Sequence, residues 1–323
     1  MKWIWGFLVL GLMMGGLSGC APPSGDELPA VQPSGSCAGK TITIGEVSED
    51  PNVVITTDLP LANYLAKNLG ELGYQCGRVK VVDTIPKMVT KLQSGEVDIY
   101  MDSVFPATLI WEATGAQPVL RRWRNCDPDY SAIVFTTRGS GITAVQDLPG
   151  RMIAMDRSYS TSGFVMPSAY LLNHGLNLVV KDAWNEPVAS NEVGVFFSLD
   201  DKNTLNLLNE GKVSAAATDD YNFSRWEAEK PGEYVKLAEM ESLPRQAVLV
   251  RADLPAEVQQ QITRILLQAD LDPEGKTAMQ QAADTCKFDQ PPDGIDAVFV
   301  QMLEMYEKIK TIPGWQNAYD QGH

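Results

Sequence analysis

The chain has 323 residues, with 26 Lys and Arg against 41 Asp and Glu, and a formal net charge of −15. An acidic chain with no basic run beyond the "RRWR" of residues 121–124 argues against nucleic-acid binding. Two histidines, His174 and His323, and no Cys-x-x-Cys spacing argue against a zinc centre.

Lys2 opens a short basic segment, the apolar run "WIWGFLVLGLMMGG" follows, and "LSGC" closes it. The pattern predicts a secretory leader over residues 1–19, too short to span a membrane. "LSGC" resembles a bacterial lipobox and marks Cys20 for lipidation; an ordinary leader with an incidental Cys20 is the alternative. Residues 20–40, rich in Pro, Ser and Gly without an apolar period, predict a disordered tether. An acidic body on a lipid anchor fits a place outside the cytoplasm. The length beyond the tether suits two lobes better than one small domain.

Four cysteines remain, an even number in an oxidising compartment. Cys37 precedes the strand-like "TITIGEV" and Cys76 precedes "RVKVVD". If those strands are parallel neighbours their starts lie close together. That predicts Cys37 with Cys76 and, by elimination, Cys126 with Cys286; free buried thiols are the alternative.

The strand "TITIGEV" leads to "LPLANYLAKNLGELG", whose Leu61, Leu65, Leu69 and Leu72 have helical spacing. "RVKVVD" is a strand, "IPKMVTKLQSGE" a helix with Pro86 in its first turn, and "VDIYM" a third strand. This βαβαβ order predicts a parallel sheet with right-handed crossovers. A second block follows: strands "YSAIVFTTR" and "RMIAMD", a helix over 162–173, the helix "KNTLNLLNEG" and the strand "KVSAAATD". "RQAVLVRADLP" is a strand and a helix start, and the tail reads as several helices. Two α/β blocks predict two lobes with a cleft between them.

In open α/β sheets ligands bind beyond the carboxyl ends of the strands. That rule selects Ser48, Glu49 and Asp50; Asp102, Ser103 and Val104; Asp156, Arg157 and the run after it; and Asp219, Asp220 and Tyr221. The run Ser158-Tyr159-Ser160-Thr161-Ser162-Gly163 stands before an apolar helix. A helix start has unpartnered N–H groups and partial positive charge, hence an anion site. Ser160, Thr161 and Ser162 would add hydroxyl donors there, and Gly163 would let a ligand oxygen approach the backbone. Plain capping is the alternative.

"GEVDIYMDS", "YSAIVFTT", "DLPGRMIAMD", "STSGFVMPSAYLLNHGL" and "LLNEGKVSAAATDD" together resemble, in that order, the periplasmic phosphate/phosphite/phosphonate-binding proteins of ABC importers. The resemblance implies a type II periplasmic-binding fold: α/β, two lobes, each a mainly parallel sheet flanked by helices. Lobe 1 would comprise residues 41–128 and a return over 246–323 with a helical C-terminus. Lobe 2 would comprise 129–245, with crossing strands near 130–136 and 245–250. In the family the Ser-Thr-Ser run holds the phosphonate oxygens, here Ser160, Thr161 and Ser162.

Two positions depart from the family. Asp201 stands near a family histidine, and Asp102 near an aromatic residue. The cleft would then hold Glu49, Asp50, Asp102, Asp201 and Asp219. Either the ligand keeps a proton that a carboxylate accepts, or it carries an amine. Arg157 would offset the charge with a forked contact or face solvent. Tyr159 is the best wall or lid, and Tyr130 would meet the ligand from the hinge. Tyr100 is expected in the core, Trp184 and Phe196 in lobe-2 packing, and His174 at a helix C-terminus.

The expected function is a lipid-anchored, extracytoplasmic substrate-binding protein that takes a small phosphorus oxyanion to a permease with its ATPase. It would act as a monomer without cofactor, metal or nucleic acid. The same fold could bind a zwitterionic or quaternary-amine solute in an aromatic cage, or sense a ligand for a receptor. Catalysis is not expected, for the chain has no Ser-His-Asp set, no second internal histidine and no P-loop.

Overall fold

The computed structural model describes residues 37–292 and 294–322. The expected leader over 1–19, Cys20 and most of the tether lie outside the described residues. In chain order the first block is β1 (Lys40–Val47), α1 (Pro51–Asn68), β2 (Tyr74–Val82), α2 (Ile85–Gln93), β3 (Ile99–Asp102), α3 (Val104–Thr114), β4 (Gln117–Arg122) and the two-residue β5 (Asp129–Tyr130). The second is β6 (Ala132–Thr137), β7 (Arg151–Met155), α4 (Met166–Asn173), β8 (Leu178–Val180), β9 (Val193–Phe197), α5 (Asp201–Asn209), β10 (Ala215–Asp219), α6 (Asp220–Glu229), β11 (Tyr234–Glu239) and β12 (Leu243–Pro244). The return is β13 (Gln246–Val250), α7 (Ala256–Gln268), α8 (Pro273–Gln281), β14 (Phe288–Asp289), α9 (Asp296–Ile309) and α10 (Trp315–Asp320).

Two six-stranded sheets result, in the orders β14-β4-β13-β3-β1-β2 and β11-β6-β10-β7-β9-β8. The first is parallel across β3, β1 and β2, and antiparallel where β13, β4 and β14 join. The second is parallel from β10 through β7 and β9 to β8, with β6 and β11 antiparallel at its edge. Ile42 and Ile44 of β1 are fully buried, as expected of a strand covered on both faces. Among the described residues no helix is long and apolar enough to cross a membrane.

α1 begins well before the Leu-rich stretch that marks it in the sequence. Asp50 is its N-cap, accepting the Val53 N–H at 3.2 Å, and Pro51 fills the first turn. The cysteine pairing is as expected, Cys37 with Cys76 and Cys126 with Cys286, at Cα separations of 6.2 and 4.9 Å. Thr41 of β1 faces Cys76 of β2 in the parallel register, which explains the first pair.

The chain leaves the first sheet through β5 and returns through β12, and these pair as an antiparallel ribbon, Leu243 opposite Tyr130. The tail also bridges the sheets. α9 packs on α3 from the first block and on α4 from the second. Trp315 of α10 is fully buried, and its indole N–H donates to the Ser158 carbonyl at 3.1 Å. The Val180 N–H donates to Pro313 O at 2.9 Å. The tail thus supports the hydroxyl run from behind. Replacing Trp315 with Ala should cost about 3–5 kcal/mol of stability through the cavity it leaves, read as a lower urea midpoint; an unchanged midpoint would show the tail to be dispensable.

Candidate functional site

The carboxyl ends of β1, β3, β7 and β10 carry the clusters that line one cleft. The helix after β7 starts at Ser160. Its Oγ accepts the Gly163 N–H at 3.2 Å, while its carbonyl accepts both Phe164 N–H at 3.1 Å and Val165 N–H at 2.9 Å. The first turn is therefore widened before α4 begins, a geometry often found at functional sites. Gly163 is required by packing as well: a Cβ there would lie 2.5 Å from Asp156 Cβ and 2.8 Å from Ser160 Oγ. Thr161, 1% exposed, accepts the Phe105 N–H from the first turn of α3 at 3.0 Å. The run thus divides into a cap, Ser160, and a bridge across the cleft, Thr161.

Two recesses share this cleft. The first, about 420 Å³, is lined by the hydroxyl run with Asp102, Ser103, Asp201 and Asp219, and by Arg124, Asn125, Tyr130, Tyr221, Asn222, Arg225, Arg245 and Gln246. The second, about 290 Å³, adds Glu46, Glu49, Asp156, Arg157, Tyr159 and Asp200. Asp102, Ser103, Arg124, Ser160 and Asp201 line both.

Of the residues singled out from sequence, Ser160, Thr161, Ser162, Asp102, Ser103, Asp201 and Asp219 meet in the first recess. Glu49, Arg157 and Tyr159 lie in the second. Arg157 Nη1 pairs with Glu49 Oε2 at 2.9 Å, linking the two blocks across the cleft. Asp50 caps α1 and lines neither recess. Asp219 caps α6 through the Asn222 N–H at 2.7 Å and accepts Arg245 Nη2 at 3.2 Å. Tyr100 is buried as expected, though its hydroxyl donates to Asp102 at 2.7 Å.

Sequence reasoning missed Arg245 and Arg124. Arg245 follows β12 at the second crossing and is 7% exposed. Its guanidinium carbon lies 5.0 Å from the Tyr130 ring centroid and 5.8 Å from that of Tyr221. Its Nε and Nη1 are buried and, among the described residues, have no hydrogen-bond partner, as is also true of Gln246 Oε1. The available signal was its place at the head of a stretch expected to cross between lobes. The "RRWR" run splits by role. Arg121 binds Asp129 and Asp289, and Arg122 binds Thr285 and the Ala282 carbonyl. Only Arg124 reaches the cleft.

The family model described as ABC transporter, phosphonate, periplasmic substrate-binding protein matches residues 47–292. A Xanthomonas citri protein solved with chloride bound aligns with a TM-score of 0.77 at 22% identity, covering 83% of this chain and 99% of that one. PhnD1 of Prochlorococcus marinus, solved with methylphosphonate, aligns at 0.63 and 14% identity over 84% and 99%. A binding-protein component of a Pseudomonas aeruginosa ABC phosphonate transporter aligns at 0.59 and 13% over 84% and 97%. At these identities the likeness is one of fold, that of the type II periplasmic binding proteins. No curated protein matches the chain.

Burial disfavours the charged form of the cleft carboxyls. Asp201 is pushed up to about 7, by burial first and then by Asp156 and Asp219, although Thr218 and Asn222 donate to it at 2.8 and 2.9 Å. Glu46 is pushed up to about 8 by burial and Asp58, with Arg124 opposing. Burial also raises Asp102 and Asp156. A native carboxyl that holds its proton beyond its unfolded value near 4 binds more protons than the unfolded chain, so stability falls as pH rises from about 4 to about 7. Asp201→Asn should therefore match the parent near pH 4 and exceed it at pH 8 by at least about 1.4 kcal/mol, the worth of one pH unit. Urea unfolding across that range measures the difference, and parallel curves would refute the assignment.

Proposed function

We propose, from the premise that the chain belongs to the periplasmic substrate-binding family of phosphonate ABC transporters, that it captures a small phosphorus oxyanion in the first recess and hands it to a permease with its ATPase. Arg245 carries this reading. A guanidinium cannot shed its proton, and two buried guanidinium nitrogens without a hydrogen-bond partner among the described residues, on a side chain that lines the cavity, call for an anion. The start of the helix after β7 supplies the opposing donors. Methylphosphonate, phosphite and phosphate all present the tetrahedral oxygens such donors suit.

The tyrosines bear on the alternative ligand. Tyr130 and Tyr221, the rings available to cage a quaternary amine, already face the protein's own Arg245 cation. A zwitterionic phosphonate remains compatible, since the second recess presents Glu46, Glu49, Asp156 and Asp200 to an amine. In this reading lobe 1 is 41–128 with 246–323, and lobe 2 is 129–245. The hinge is the β5/β12 ribbon, and the ligand stabilises closure by touching both lobes. Arg157 to Glu49 and Thr161 to Phe105 are the closing contacts. The protein would act as a monomer, held at the membrane by a lipid on Cys20.

A thermal-shift screen should give stabilisation by methylphosphonate, phosphite or phosphate and none by a quaternary amine. Arg245→Gln should weaken the best of these by about 1.5–3 kcal/mol, roughly ten- to a hundredfold, measured by calorimetry. Stabilisation by amines alone, or full affinity in the variant, would sink the reading. Cys20→Ala should move the protein from the membrane fraction to the soluble one on fractionation of cells; unchanged partition would remove the anchor.

A further inference from the structure

After β4 the chain enters a loop that places Arg124 and Asn125 on the cleft wall. This loop faces a second one, between α8 and β14. Trp123 N–H donates to Lys287 O at 2.9 Å, Cys286 N–H to Trp123 O at 3.2 Å, Asn125 N–H to Ala283 O at 3.3 Å and Cys126 N–H to Asp284 O at 3.2 Å. Four residues other than glycine in these loops have left-handed backbone: Asn125 (φ 55°), Cys126 (φ 61°), Ala283 (φ 48°) and Asp284 (φ 48°). Such conformations are uncommon, persist only where surrounding structure enforces them, and cluster at functional sites. The Cys126–Cys286 disulfide closes the pair of loops, joining residues 160 apart in sequence.

Arg124 is half-buried and lines both recesses, yet among the described residues its side chain has no ion pair or hydrogen bond. Its neighbours Arg121 and Arg122 are committed to carboxylates, a hydroxyl and a carbonyl elsewhere. A cation without a partner among the described residues, beside Glu46 and Asp102 in a cleft that Arg157, Arg225 and Arg245 also line, is placed to add attraction for an anion. The other disulfide, Cys37–Cys76, ties the starts of β1 and β2, the ends of those strands away from the cleft.

We propose that Arg124 is a second anion-selecting residue of the cleft and that the Cys126–Cys286 disulfide, with the paired left-handed loops, is the element that positions it. The proposal rests on the anion-binding reading of the cleft. It makes the second disulfide more than a staple: without it the loops relax toward ordinary backbone and carry Arg124 off the wall.

The test separates position from stability. Arg124→Gln, the pair C126S/C286S and their combination are compared with the parent and with C37S/C76S. The first readout needs no ligand: the carboxyl titration of Glu46 by carbon NMR, since Arg124 bears on that group. Asp58, Asp102 and Arg122 also act on Glu46, and Arg122 is held by Thr285 and the Ala282 carbonyl beside the second loop; a rise caused by moving Arg122 would add to that of Arg124→Gln, whereas one caused by moving Arg124 would not. Arg124→Gln should raise the Glu46 titration, C126S/C286S should raise it equally, and the combination should add nothing. C37S/C76S should leave it alone. The second readout is methylphosphonate affinity, expected to fall roughly tenfold in Arg124→Gln and in C126S/C286S, again without further loss when combined.

Should the serine pair not fold, Ala283→Val keeps the disulfide but strains the facing loop away from the cleft wall, and the same rise in Glu46 is expected. A folded serine pair, or Ala283→Val, in which Glu46 titrates as in the parent would overturn the positioning role. So would losses of affinity that simply add. If the parent itself ignores methylphosphonate, the oxyanion reading fails, while the Glu46 titration still decides where the disulfide holds Arg124.

Discussion

A permanently charged guanidinium, buried where the chain crosses between its two sheets, sets the terms for the rest of the cleft. Removing such a cation from water is costly unless partners replace the water. Asp219 supplies one bond to Arg245, and the faces of Tyr130 and Tyr221 supply part of the remainder. The backbone fixes the rest of its position: Arg245 N–H donates to Pro128 O at 2.9 Å beside the β5/β12 ribbon. Nε and Nη1 remain without a partner among the described residues. The same residue therefore belongs to the crossing and to the cleft, which in the proposed reading couples occupancy to the geometry of the lobes.

The hydroxyl run shows how one short segment serves several needs. Ser160 satisfies the helix start, as any capping residue would. Thr161 accepts an amide of α3, and its hydroxyl also hydrogen-bonds the Tyr130 hydroxyl, which ties the run to the β5/β12 ribbon. Gly163 has a packing reason of its own, because Asp156 and Ser160 leave no room for a Cβ. Trp315 holds the preceding carbonyl of Ser158 from behind. In the proposed reading, capping and gripping are thus not rivals at this site.

Much of this was legible because topology needs little detail. Parallel βαβ order puts the strand ends on one side, and that alone gathers Asp102, Ser103, the hydroxyl run and Asp219. The neighbouring starts of β1 and β2 likewise gave the cysteine pairing. Arg245 was not legible, because its partner Asp219 is 26 residues away and the ribbon that brings them together has no local periodicity. Arg124 was hidden by a loop whose left-handed residues include no glycine to mark them. Asp50 misled for a local reason: a carboxylate after a strand reads equally as a cleft residue or as the cap of a helix whose first turns carry no apolar stripe.

The abundance of carboxylates around a proposed anion site resolves on the same electrostatic grounds. Burial and mutual repulsion hold Asp201 and Glu46 partly protonated near neutrality. A protonated Asp201 donates a hydrogen bond where an ionised one would repel. Phosphorus oxyacids also change charge near neutrality, so ligand and carboxyl can share one proton between them in either placement. A fully ionised oxyanion such as sulfate brings no proton to that exchange and meets whatever fraction of Asp201 is charged. In the proposed reading, then, the acidic residues are not at odds with the arginines: the cations supply attraction for any tetrahedral anion, and the carboxyls narrow the choice to those that carry a proton.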